Sequence, residues 1–289
     1  MCNAIVRPYG KRNHKINKVE IWSPTLNRAF QAKLVAAGFF TNHSDDISEG
    51  GSKIYIPAVA NSFTATAINT TSGALTPTNV DDTKSYISLD QWMGVNYIIT
   101  DYQKALIATK YNVQAEYAQK MGYALAKKVD TDLLALGASL TKSTGDSATN
   151  ITATTIETAI AFIESSNVPR EDCAFFFHPN VYYGELMKSQ KLVDASYYGT
   201  EVLSKGMHST LYGIPVYILS QVPSGTAGTE GGHRNLLVHR DAIVYAIARG
   251  GAKMSQKQPE ALRTTLFADV IYGKSILRAD GGIRIISNT

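Results

Sequence analysis

Cysteine is almost absent from the sequence: Cys2 and Cys173 are the only two. Two thiols cannot supply a disulfide framework, so packing must hold the chain together, and a reducing compartment suits it best. Long apolar runs are absent as well. No stretch reaches the ~18 apolar residues that a membrane span needs, and residues 1–10 lack the apolar core of a signal peptide. No membrane partner is therefore assigned, and the sequons at Asn42, Asn69 and Asn150 are expected to stay unmodified. Strong charge of one sign is missing too: 28 basic against 24 acidic residues leave +4, too little to mark a nucleic-acid binder. With 44% hydrophobic and 18% charged residues, the 289-residue chain is not disordered throughout and is long enough for one large domain or two small ones.

Patterns that carry chemistry are also missing. The histidines at 14, 43, 178, 208, 233 and 239 show no metal-ligand spacing. There is no G-x-G-x-x-G, and Gly250-Gly251-Ala252-Lys253 lacks the rest of a phosphate loop. Ser139 and Lys142 form an S-x-x-K, but serine and lysine are common enough here for one chance match, and no companion motif follows. Cys173 and His178 lie on a predicted strand at odd and even positions, so their side chains point apart, and a buried structural cysteine is expected. Asp130 and Asp132, two apart on a predicted helix, do not share a face. Asp45-Asp46 and Asp81-Asp82 fall in turns. No catalytic residue, metal ligand or cofactor is assigned.

What is present is mechanical. Arg7, Lys11, Arg12, Lys15 and Lys18 all precede the first acid, Glu20, making a basic arm on a near-neutral body. Such an arm could bind DNA phosphates by charge, or it could be a solvated tail that orders only against a neighbouring protein. With no aromatic but Tyr9 among the charges, the second is favoured. Pro24 opens a helical pattern that Gly38 should end. Residues 53–99 read as two long strands joined at a polar tip. Ile54 and Ile56 alternate before Pro57, Phe63 starts a second apolar face, and Ile87 and Leu89 lead into Met93, Val95, Tyr97 and Ile99. Its middle is thin in large apolar residues, so such a hairpin needs a partner surface.

Residues 101–136 carry the strongest helical stripe, including Met121, Leu125, Val129 and Leu133, and span about 50 Å at the helical rise. A boundary is expected in 137–150. A shorter helix at 154–166 is predicted with a Thr154–Glu157 capping box, then a buried strand at 173–177 and a helix opened by Pro179. Residues 211–219 read as a strand kinked at Gly213-Ile214-Pro215. Gly213 should need positive φ or close packing, and Pro215 should fix the bend. Apolar strands follow at 236–238, 243–248 and 266–272, and Asp280-Gly281 offers a hairpin turn before 283–286.

An arm, an overlong hairpin, an overlong helix and sixteen tyrosines make sense where neighbours supply the missing surface. The order resembles the Hong Kong 97 capsid fold, an α+β fold shared by major capsid proteins of tailed bacteriophages. The resemblance rests on 19–24 (Val-Glu-Ile-Trp-Ser-Pro) closing the arm, 53–99 as the E-loop and 101–136 as the spine helix. It rests further on 211–216 (Leu-Tyr-Gly-Ile-Pro-Val) as the family's L-x-G-x-P-V turn, 234–249 as a following strand pair, and 264–286 as closing strands. It implies an arm and first helix at 1–42, an E-loop at 43–100, a peripheral domain at 101–150, an axial domain at 151–258 and return strands at 259–289. It also implies a structural protein that self-assembles into hexamers and pentamers of an icosahedral head around double-stranded DNA, put together in a bacterial cytoplasm. A portal protein and a scaffolding protein, separate or already removed as a segment, follow as partners, and there is room for a decoration protein. The alternatives are an encapsulin-like nanocompartment shell, a DNA-binding protein using the arm, and a hydrolase using Ser139. The fold's namesake crosslinks an E-loop lysine to a neighbour's asparagine. Between Ile54 and Thr83 there is no lysine, so no such crosslink is expected.

Overall fold

The computed structural model describes residues 35–47, 51–58, 68, 83–106, 113–188, 210–225, 232–258 and 261–288. Arg7, Lys11, Arg12, Lys15, Lys18, the 19–24 segment and Phe63 lie outside the described residues. In chain order the elements begin with α1 (Ala36–Phe39), β1 (Thr41–Asn42), β2 (Lys53–Ala58), β3 (Thr83–Ser88), β4 (Gln91–Thr100), α2 (Asp101–Leu106) and α3 (Val113–Ala135). They continue with β5 (Lys142–Gly145), α4 (Ala153–Ser165), β6 (Cys173–Phe177), α5 (Pro179–Gly184), β7 (Thr210–Leu211) and β8 (Ile214–Ile218). Last come β9 (Arg234–His239), β10 (Ile243–Gln258), β11 (Arg263–Ile276) and β12 (Gly282–Ile286). The helix expected over 101–136 is thus described as α2 and α3, with a 3-10 turn at Leu136–Ser139.

The Cys-Ala-Phe-Phe-Phe run of β6 is buried on both faces, which makes it a central strand. It sits inside a six-stranded sheet ordered β5-β12-β9-β6-β8-β7. Cys173, Phe175 and Phe177 point to one side and pack with Ile156, Ala159, Ile160 and Ile163 of α4. Ala174 and Phe176 point to the other, where Phe176 meets Phe39 and Phe40 at ring-centroid distances of 5.4 and 5.6 Å. The capping box of α4 is set two residues earlier than the sequence pattern placed it. Thr152 Oγ1 accepts from the Thr155 backbone N–H, and Thr155 Oγ1 accepts from the Thr152 N–H. Thr154 lies inside the first turn, and Glu157 instead accepts a hydrogen bond from the Tyr212 hydroxyl at 2.9 Å.

The second sheet has four strands ordered β1-β10-β11-β4. Its inner face, with Tyr245, Ala268, Val270 and Tyr272, packs on Met121, Leu125, Val129 and Leu133, so the predicted stripe of α3 is the buried one. Tyr97 of β4 stacks on Tyr117 of α3, centroids 4.1 Å apart. The same core runs on to Phe176, Leu236 and Val238 of the six-stranded sheet, so α3 serves both sheets.

Three strand assignments differ from the sequence reading. The hairpin's second strand ends at Ser88; β4 leaves it and pairs with β11, because α3 covers its Met93, Val95 and Tyr97 face. The 234–249 strands are not a pair: β9 joins the six-stranded sheet, while β10 pairs with β11 and extends to Gln258. Asp280-Gly281 does not make a β11–β12 hairpin either. The chain crosses sheets there, and β12 inserts between β5 and β9, where Ile283 and Ile285 reach the α4 core.

Candidate functional site

No group of three or more His, Cys, Asp or Glu suited to a metal occurs among the described residues. Ser139 is exposed at the end of the 3-10 turn, and Lys142 is exposed in the edge strand β5. Cys173 is fully buried, and burial, with Asp172 beside it, pushes its thiol up to about 11, so it is no nucleophile at neutral pH. His178 lies just past β6, where Nδ1 accepts from the Asn180 N–H at 3.2 Å and caps α5. Its ring stacks on His233 at 3.5 Å between centroids. Burial pushes both imidazoles below their ordinary pKa; the neighbouring His233 pushes His178 further down. In His233, hydrogen bonds involving Pro223 and Val222 and the charge of Glu185 oppose burial but do not outweigh it.

The geometry that stands out is devoted to holding elements against one another. Asp130 and Asp132 do point apart, and each is a tether. Asp130 accepts the backbone N–H groups of Val35, Ala36 and Ala37 at 3.2, 3.3 and 2.9 Å, fixing the start of α1, while the Tyr245 hydroxyl donates to the Ala37 carbonyl at 2.7 Å. Burial raises the Asp130 pKa despite these three donors. Asp132 binds Lys128 at 2.7 Å, Lys274 at 3.5 Å and the Tyr272 hydroxyl, tying α3 to β11. Burial alone would raise its pKa, but the hydrogen bonds from Lys128 and Tyr272 and the two lysine charges win and hold it below the usual value. These two roles were not read from the sequence. The signal was there as two acids beside Val129, Leu133 and Leu134, but apart from Lys128 their partners lie 93–142 residues away.

Among the described residues the hairpin is anchored at its base. Ile54 of β2 and Ile87 of β3 face each other, both buried, and pack on Val244 and Ala246 of β10. They therefore sit on the outer face of the four-stranded sheet, opposite α3. Gly273 of β11 permits this crossing: a Cβ there would collide with the Ser88 carbonyl and the Ile87 side chain. Pro57 is exposed opposite Lys84, and the Tyr55–Tyr86 pair on the hairpin's other face is exposed, with Lys53 Nζ 4.8 Å from the Tyr86 ring centroid.

Gly213 has the positive φ expected of it, +82°, and Tyr212 before it has φ +52°. The two form a two-residue turn joining β7 and β8 as a hairpin, rather than a kink in one strand. A Cβ on Gly213 would meet nothing within 4 Å, so conformation and not crowding calls for glycine. Pro215 does not fix a bend. It lies inside β8 opposite Thr210, one residue before the ladder with β6 begins at Val216, where its missing N–H costs no pairing to β6.

Comparison with known proteins agrees with this picture. The sequence profile described as "Phage capsid protein" matches residues 82–272, more than half of the chain. By sequence, no curated protein matches. Among solved structures, the chain is similar to one from Mycobacterium phage Che8 at 18% identity and TM-score 0.77, covering 92% of this chain and 96% of that one. It is also similar to the capsid of cyanophage P-SCSP1u, at 19% identity and TM-score 0.74 over 94% of each chain. The mature capsid of bacteriophage PhiM1 follows at 17% identity and TM-score 0.71, covering 92% and 91%. The fold is the α+β capsid fold of the Hong Kong 97 type. The chain belongs to the phage capsid protein family and is a structural major capsid protein of a phage head.

Proposed function

We propose that the chain tiles an icosahedral head as hexamers and pentamers around double-stranded DNA, assembling in the bacterial cytoplasm with a portal protein and a scaffolding protein. The observation that carries this is the hairpin: its base is packed by Ile54 and Ile87, while its aromatic outer face is left in solvent. A projecting hairpin of that kind is marginal alone and is completed by neighbours. The six-stranded sheet with α4 and α5 is then the axial unit and the four-stranded sheet with α3 the peripheral one, which moves β5 and β12 out of the peripheral bounds of 101–150 and 259–289 and β10 out of the axial bounds of 151–258. Arg7, Lys11, Arg12, Lys15 and Lys18 act by lying against neighbouring subunits, and their removal leaves a folded subunit that assembles poorly. The role is a structural one and calls for no catalytic residue.

Electron microscopy of the expressed chain, alone and with its neighbouring gene products, tests the reading. Closed shells are expected; stable monomers under every condition, scaffold included, overturn it. The shell is held without covalent crosslinks, because no lysine lies between Ile54 and Thr83, and only Lys53 and Lys84 flank that stretch. A boiled denaturing gel of mature particles should give one band near 31.4 kDa, and a reductant-resistant ladder would contradict it.

A further inference from the structure

Where β6 meets α5, at the end of the six-stranded sheet, two histidines lie face to face. His178 and His233 stack with an interplanar angle of 12°. Each belongs to a clasp. His178 caps α5 through Nδ1, which accepts the Asn180 N–H, while its own N–H donates to Asn235 Oδ1 at 2.9 Å. His233 holds the strap that follows β12. Its N–H donates to Ser287 Oγ at 3.1 Å, and its carbonyl accepts from the Ser287 N–H and from Asn235 Nδ2. Gly232 lets the strap lie flush, since a Cβ there would collide with the Ser287 carbonyl. The fully buried Asn235 thus joins the two clasps.

Both rings are set for the neutral form. A second proton on His178 must go to Nδ1, which already faces a donor, so the cap is lost. On His233, Nδ1 is buried without a partner, so a proton there has nothing to donate to. The groups around the pair are few among the described residues. The C-cap of α5 supplies Glu185, whose charge favours a proton on His233. From β9 come Arg234 and Asn235, from beyond β12 Ser287, and from the turn before β9 the Val222 and Pro223 backbone. Burial outweighs Glu185 and holds both imidazoles below the ordinary 6.5.

We propose that the His178–His233 stack is an acid-sensitive latch. Neutral, it clamps the start of α5 and the Ser287 strap onto the six-stranded sheet; once protonated, it lets both go together while α4 and β6 stay folded. These two are held by the apolar core of Ile156, Ile163, Phe175 and Phe177, which has nothing to titrate in mild acid. The latch is a property of the subunit and does not depend on how subunits assemble.

Hydrogen exchange of the full chain at about pH 7.5 and about pH 5.5, corrected for the intrinsic rate, tests it. Protection of 179–185 and 286–288 should fall about ten-fold at the lower pH, while 153–165 and 173–177 keep theirs. His178→Asn sets an amide oxygen where Nδ1 stands, so it keeps the cap, takes no proton and should hold 179–185 closed at both pH values. Three results overturn the latch: wild-type protection that does not change, an equal loss across α4 and β6, or a soluble His178→Asn that opens as the wild type does. Should that variant be insoluble, His233→Phe, which keeps the stack without the charge, decides in its place: opening of 286–288 at the lower pH as in wild type overturns the latch, and closure supports it.

Discussion

The two sheets of this protein solve the problem of edges and faces differently. The six-stranded sheet is covered on both sides, by α4 and α5 on one and by α1 and the end of α3 on the other, and its edges are short. The four-stranded sheet is covered on one side by α3, half covered on the other by a hairpin, and ends in a ten-residue uncharged edge. Of the nine large apolar residues most exposed in the described chain, only Tyr183 belongs to the first sheet's surroundings; the rest lie on the hairpin or around β4 and β11. The lesson is that one chain can carry a self-sufficient unit and an unfinished one. Substitutions in the first should cost folding, and substitutions on the outer surface of the second should cost assembly.

The sharpest way to break that contrast is Phe176→Ala. Phe176 is fully buried between β6 and α1, and its loss should destabilise the subunit by about 4 kcal/mol, seen as a shifted urea midpoint or insoluble protein. Ile98→Ala on the outer surface should move the same midpoint by less than about 0.5 kcal/mol while lowering particle yield. Next, Asp132→Asn leaves Lys274 without its carboxylate between α3 and β11, which should cost about 3 kcal/mol. Chemical denaturation of the subunit measures it, and a cost near zero would show that the tether is incidental. Gly213→Val should then cost about 2 kcal/mol, the strain of a β-branched residue at positive φ with no collision added. A melting curve on soluble subunits checks it, and wholly insoluble protein would mean that the turn matters more than its strain.

The smallest effect is on pH. His178 and His233 have folded pKa values below the ordinary 6.5, so the stability they contribute is present above about pH 6.5 and is lost as pH falls through the folded values. Asp132 acts likewise at lower pH, its contribution being lost below its unfolded value of 3.8. Melting temperature against pH should therefore drop first from near pH 6.5 and again in the acid range. Replacing His178 with Gln should flatten the first drop and leave the second.

Much of this was legible from periodicity. The Cys-Ala-Phe-Phe-Phe run of β6, the Met121–Leu133 stripe and the positive φ of Gly213 follow from local chemistry, and the structure contains them. Partners were not legible. Alternation in 93–99 says that one face is buried, not that β11 and α3 bury it rather than the hairpin. Asp280-Gly281 has turn chemistry, yet a turn does not say which sheet the next strand joins. Met93, Val95, Tyr97 and Ile99 mark the inward face of β4, while the uncharged alternates Trp92, Gly94, Asn96 and Ile98 do not say what they face.

The service of α3 to both sheets has a mechanical side. A pull on the hairpin passes through Ile54 and Ile87 into β10, and across the sheet to Tyr272. From there it enters α3 at Asp132, and leaves through Leu133 and Leu134 towards Phe176 and the six-stranded sheet. The joints on this route are apolar packing, the β10–β11 ladder and the Tyr272–Asp132 hydrogen bond, with no loop in series to stretch. The subunit is therefore built as a stiff link, and strain imposed at the hairpin is delivered across the molecule instead of being absorbed where it arises.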